Sequence, residues 1–143
     1  MIGMTIDQAK GMFFDRAKVT GAVNRAERRV LSRFGAFVRQ GARSSIRKRK
    51  SVSAPGSPPS SHTGLLKRTI FFVYEPKTSN VIIGPVLLGK RTNAPELLEH
   101  GGTATRRRRK RRARATYRPR PFMGPAFERE QPKLPQMWRD SVR

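Results

Sequence analysis

Residues 15–46 read DRAKVTGAVNRAERRVLSRFGAFVRQGARSSI, and the spacing of their apolar residues decides the fold. Val19, Val23, Ala26, Val30, Phe34, Phe37, Val38, Ala42 and Ile46 recur mostly at steps of three and four. That period describes one face of an α-helix. Arg25, Arg28, Arg29, Arg33, Arg39 and Arg43 occupy the opposite face. Gly35 and Gly41 lie inside the pattern, and each is ~1 kcal/mol less favourable there than Ala, so a bend near one of them is expected. A helix of this length spans roughly 45 Å. That is long for a chain of 143 residues, which predicts a helix packed on a sheet and also on a neighbour.

The helix runs into Arg47-Lys48-Arg49-Lys50 and then into residues 51–61, SVSAPGSPPSS. Ser, Pro, Gly and Ala dominate that stretch, so an extended, flexible loop is expected. Leu65 to Tyr74 is rich in β-branched and aromatic residues, and Val81-Ile82-Ile83 follows after Glu75-Pro76-Lys77-Thr78-Ser79-Asn80. The pattern predicts two strands joined as a hairpin. Pro95 and Gly101 bracket a short helix. Tyr117 to Phe122 reads as a third strand, confined to an edge by Pro119 and Pro121. Gly124-Pro125 opens a further helix over 126–131, and the tail carries Met137 and Trp138, apolar residues that need a cover.

The fold class predicted is α+β, a long N-terminal helix on a small antiparallel sheet, with a short helix, a C-terminal helix, and extended basic and Pro/Ser-rich loops. One domain, 1–143, divides into the long helix (15–50), flexible loop (51–63), hairpin and short helix (64–102), basic loop (103–118), and strand with C-terminal helix (119–143).

Charge sets the second constraint. The chain carries 32 basic and 9 acidic residues, a net charge of +23. Such a chain repels itself unless its charges are spread, screened or met by an anionic partner. Half of the basic residues lie in 39–50 and 103–120. The second stretch holds Arg106, Arg107, Arg108, Arg109, Lys110, Arg111, Arg112 and Arg114 with no acidic residue, and it reads as a solvated, mobile loop. Together with Arg47, Lys48, Arg49 and Lys50 these residues are candidate contacts to DNA or an acidic partner. Several Lys/Arg–phosphate contacts would bind duplex DNA without reading its sequence. Aromatic rings interleaved for stacking on single strands are missing, Tyr117 being the one ring in the longer tract. The excess of Arg over Lys suits bidentate anion contacts, although a GC-rich genome yields the same bias.

Other chemistry finds little footing. There is no cysteine, hence no disulfide or thiolate. His62 and His100 are the two histidines, and neither is surrounded by the convergent ligands a metal needs. The serines cluster in the Ser/Pro loop, away from any base that would activate them. Gly101-Gly102 lacks the Lys-Ser/Thr of a phosphate loop. No apolar run approaches the ~20 residues of a membrane span, and Met1-Ile2-Gly3-Met4 does not open a secretory signal. The expectation is a non-enzymatic, cofactor-free, soluble binding and assembly protein made in the cytoplasm.

The order of the short motifs carries more than any one of them. Thr63-Gly64-Leu65-Leu66-Lys67-Arg68-Thr69-Ile70 follows the proline-containing loop. Val81-Ile82-Ile83-Gly84-Pro85, Ala94-Pro95-Glu96-Leu97-Leu98-Glu99-His100-Gly101-Gly102-Thr103, and Arg120-Pro121-Phe122-Met123-Gly124-Pro125-Ala126-Phe127 come after it. The series resembles the tail-completion, or minor tail protein Z-like, family of long-tailed bacteriophages over residues 15–131. Thr69 stands where Ser is usual, His100 and an additional Gly102 alter the acidic–aromatic–Gly-Thr element, and the Arg tract enlarges a loop. The resemblance implies an α+β protomer in a six-fold ring in the virion neck. There it would join the head connector to the tail terminator around the DNA channel. It also implies ring-neighbour contacts, for which Phe34, Phe37, Phe122, Phe127, Met137 and Trp138 are the candidates. The alternative is a free-standing, sequence-nonspecific nucleic-acid-binding protein.

Overall fold

Asp15 starts the long helix by capping it. Its carboxylate accepts the Lys18 backbone N–H at 3.1 Å, filling one of the donors that a helix start leaves open. The helix, α1, then runs unbroken over Arg16–Ser45 and ends as Ile46 turns extended. The computed structural model describes residues 15–86, 93–108, 111–139 and 141, and for 106–108 and 111 the backbone alone. The expectations for residues 1–4, and the candidate contacts Arg109 and Lys110, lie outside the described residues.

Ala26, Val30, Phe34, Val38 and Ala42 form the buried stripe of α1, and Ile46 continues it past the helix end. Each fully buried Val, Ile or Phe contributes about 1.5–3 kcal/mol. The stripe therefore outweighs the combined helix penalties of Gly21, Gly35 and Gly41, ~1 kcal/mol each. The first turns behave differently: Val19 and Val23 are exposed, so the helix overhangs the body it packs on.

Strand β1 (Arg47–Lys48) pairs in parallel with β2 (Ser60–Ser61). A single helical turn, α2 (Leu65–Arg68), precedes β3 (Ile70–Glu75). Strand β4 (Asn80–Pro85) pairs antiparallel with β3, from Ile70↔Pro85 to Glu75↔Asn80. Strand alternation puts Ile70, Phe72, Tyr74, Val81 and Ile83 on the face toward α1. Helix α3 (Ala94–His100) leads into β5 (Gly102–Arg108), which pairs antiparallel with β6 (Arg111–Tyr117). Helix α4 (Gly124–Glu130), a 3₁₀ turn (Gln131–Lys133) and helix α5 (Leu134–Arg139) close the described chain. The β3–β4 hairpin and the α4–α5 segment both pack on α1. Phe34, Val38, Ala42, Ile46, Ile70, Phe122 and Ala126 make the core. The architecture is α+β, a long helix with small antiparallel sheets, as predicted.

Five details differ from the sequence reading. The long helix stops at Ser45, so 47–48 is strand and not helix. Leu65–Arg68 is a helical turn, entered through Gly64 and held by Thr63 Oγ1 accepting the Leu65 N–H at 3.3 Å; the strand begins only at Ile70. The Pro/Ser loop is pinned: Gly56 N donates to Pro119 O at 2.9 Å, and Arg120 Nε donates to Ser53 O at 3.0 Å. The basic stretch is a paired β-ribbon instead of a loop, because Thr103, Thr105, Thr116 and Tyr117 favour strand and Ala104 and Ala115 pair between them. The third strand ends at Tyr117; Pro119 and Pro121 lack N–H groups, and Arg120 N donates instead to Leu98 O of α3.

Gly35 causes no break in α1. A Cβ there would lie 2.8 Å from Val81 Cγ2 and 2.9 Å from Phe72 Cδ2. The missing side chain is what lets the hairpin seat against the helix. Gly35→Ala should therefore lower stability by about 1–3 kcal/mol through overpacking, despite a helix-propensity gain of ~1 kcal/mol. Urea unfolding checks this, and a stabilised variant would show that the hairpin does not seat there.

Candidate functional site

The position of the basic ribbon is set at its base by α3. Gly101 ends that helix with φ 75° and ψ −175°, a backbone conformation essentially restricted to glycine. A Cβ on Gly101 would also stand 3.0 Å from both Pro119 Cδ and Tyr117 O. The chain can thus reverse from helix into β5 while β6 returns directly alongside.

Glu99, two residues earlier, fastens this corner to the core. Its Oε2 accepts the N–H groups of Phe122 at 2.9 Å and Met123 at 3.1 Å, and its Oε1 accepts that of Gly124 at 2.7 Å. These donors open α4, where a negative charge also meets the positive end of the helix dipole. Glu99 shares a surface hollow with Pro95, Glu96, His100 and Phe122. Both of its oxygens are engaged by backbone, so it acts there as a structural acceptor.

Beyond that corner the ribbon stands largely on its own. Among the described residues, β5 and β6 pack chiefly on one another. Thr103, Thr105, Arg112, Ala113, Arg114 and Thr116 are exposed. The register pairs Arg106 with Ala113, Arg107 with Arg112, and Arg108 with Arg111. Arg47, Lys48, Arg49 and Lys50 are exposed as well. Arg49 Nε donates to Ser60 Oγ at 2.9 Å, which ties one of the four to the Pro/Ser loop.

The apolar candidates separate into two groups. Phe34 and Phe122 are 3% and 1% exposed. They belong to the chain's own core and offer nothing to a neighbour, which corrects the expectation for these two. Burial of a helix-face Phe and of the Phe in a helix-start motif serves the protomer first. Met137 is half-buried against that core. Phe37, Phe127 and Trp138 are exposed, although Phe127 also meets Phe34 edge-on, with centroids 5.6 Å apart.

Two features escaped the sequence reading. The outer face of the β3–β4 hairpin presents Phe71, Val73 and Ile82, the latter two 61% and 62% exposed. The signal was available: β3 is apolar in both phases of its alternation, as in strands covered on both faces. Arg39 spans its edge, donating to Ile70 O at 2.9 Å and lying 5.7 Å from the Phe71 ring centroid. The capping role of Glu99 was also missed, since in the sequence this residue stands out only as part of the ELLEHGGT segment.

Glu130, buried at the end of α4, bonds Lys133 Nζ at 2.8 Å and Arg129 Nε at 3.3 Å. The bonded Lys133 ammonium holds its carboxyl below the ordinary value of 4.5, with burial opposing and Arg129 assisting. Among the described residues no three His, Cys, Asp or Glu side chains gather as a metal site, and no helix is long and apolar enough to cross a membrane.

Two substitutions test the two carboxylates, Glu99 at the start of α4 and Glu130 at its end. Glu99→Ala strands three N–H groups and should lower stability by about 2–4 kcal/mol in chemical denaturation, with Glu99→Gln between it and the parent. An Ala variant as stable as the parent would remove Glu99 from this role. The depressed Glu130 carboxyl stabilises the fold above the unfolded-state carboxylate value, and that contribution disappears as pH falls through the lower folded value. Glu130→Gln should therefore shrink the stability difference between neutral pH and pH below the carboxylate range; an unchanged difference would contradict the pairing.

Comparison of the chain with protein-family models, with curated proteins and with solved structures finds no match.

Proposed function

We propose that this chain is a structural protomer of the neck of a long-tailed bacteriophage. In this reading it forms a homo-oligomeric ring, six copies in the resembled family, between the head connector and the tail terminator. The observation that carries the reading is the junction of two of its motifs. Glu99 of the ELLEHGGT segment caps the helix that RPFMGPAF opens, so segments that resemble the tail-completion family in sequence order also form one frame in space.

The exposed surfaces support assembly. Phe71, Val73 and Ile82 form an apolar face without a cover among the described residues, and Val19 and Val23 lie on the helix overhang. A second copy of the chain is the occupant proposed for the hairpin face, since a ring gives every protomer the same two neighbours. The Arg ribbon would then contact DNA in the channel without reading sequence.

The ribbon also supports a second reading, a free-standing nucleic-acid binder that acts as a monomer. Native mass measurement separates the two. The ring reading expects a closed oligomer and its loss to protomers, still folded, in Ile82→Asp; a parent protein that remains monomeric at micromolar concentration would favour the second reading.

A further inference from the structure

We infer that the β5–β6 ribbon is a groove-entering element for double-stranded DNA, loaded on both of its faces. The inference rests on the DNA contact in the reading above and not on the ring.

The register decides the distribution of charge. Opposed residues share a face, so Arg106, Arg108 and Arg111 fall on one side and Arg107, Arg112 and Arg114 on the other. Among the described residues, three arginine positions therefore fall on each face. A ribbon built to lie on an acidic protein would gather its charge on the side that touches that surface. Two-sided loading instead suits a cleft with an anionic wall on either hand.

The dimensions select the cleft. Paired strands lie about 4.8 Å apart and rise ~3.4 Å per residue. Arg106 to Arg108 therefore spans about 7 Å, and Arg111 to Arg114 about 10 Å. The B-DNA major groove is about 12 Å wide and 8.5 Å deep and admits a two-stranded ribbon between two phosphate walls. The A-form groove of duplex RNA is too narrow and deep for such entry. Single strands offer one backbone and would require stacking rings, whereas the ribbon's aromatic residue, Tyr117, lies at its base.

The rest of the ribbon fits this use. Thr103, Thr105, Ala113 and Thr116 are short and exposed, so they add little width beside the arginines. The register sets Arg107 opposite Arg112 and Arg108 opposite Arg111, and like charges at opposed positions favour phosphates on both sides. Neither a carboxylate nor an amide side chain occurs in β5 or β6, which leaves contacts weighted toward the backbone of DNA instead of its bases.

The test uses the full-length protein and fluorescence anisotropy with a labelled 24-base-pair mixed-sequence DNA duplex. The same sequence as single strand and as RNA duplex, and polyglutamate, serve as competitors across a salt series. Two triple variants remove one face each, R106Q/R108Q/R111Q and R107Q/R112Q/R114Q. Lysine versions of both triples keep the charge and report whether the ribbon tolerates substitution.

The expected result is that each Gln triple lowers the magnitude of the log affinity–log salt slope by about 2–3, at roughly 0.9 per phosphate contact. The two triples should act about equally, the Lys versions should retain the slope, and duplex DNA should outcompete duplex RNA by tenfold or more. The inference is overturned if one triple carries the whole effect, if RNA or single strands compete as well as duplex DNA, or if polyglutamate displaces DNA at equal charge. Native mass recorded on the same samples keeps the outcomes separate, because a ring without two-faced binding sinks only this inference, and two-faced binding by a monomer sinks only the ring.

Discussion

Three backbone N–H groups at the start of α4 converge on the carboxylate of Glu99, and the rest of the molecule is arranged around that convergence. The bonds fix the distance between the end of α3 and the start of α4. Phe122, between them, is thereby driven into the core beside Ile70 and Val38. The same corner contains Gly101, whose backbone turns the chain out of α3 and into the ribbon. One carboxylate thus connects the part of the chain that packs to the part that projects. In a protein with 9 acidic residues against 32 basic ones, it spends a scarce negative charge on backbone instead of on an exposed arginine. Exposed pairs are worth little, whereas partly buried donors left unmet cost several times more.

The long helix was legible because its signal is dense and local. Apolar residues from Val30 to Ile46 repeat at helical spacing. The β3–β4 hairpin was legible for the same reason, at a period of two. The Pro- and Gly-marked starts and stops of α3 and α4 also fell where chain chemistry puts them. The ribbon was not legible. Its charge signals solvation, and its strand signal is confined to three Thr residues and Tyr117, which matter only once two segments are paired. Pairing is a non-local property, so a reading along the chain saw ten basic residues and no partner.

Burial explains the remaining disagreements. Phe34 and Phe122 are large and apolar, which by sequence suits a core or an interface equally; packing of α4 on α1 assigned them to the core. The face bearing Phe71, Val73 and Ile82 received no such cover within the described chain. Gly35 looked like a place to bend, and three-dimensional contact made it a seat for Val81 and Phe72. In each case composition and period fixed what a residue could do, and tertiary neighbours chose among the options.

A helix that overhangs its body, an apolar sheet face and a charged ribbon leave the protomer with three unspent surfaces. The proposed ring gives each a use: neighbours for the first two and the DNA channel for the third. The most direct measurement is an electron-microscopic image of the assembled protein at a resolution that traces residues 102–117. The account predicts a closed ring with the ribbons on its inner wall. A monodisperse monomer, or a ring with the ribbons on its outer surface, would contradict it.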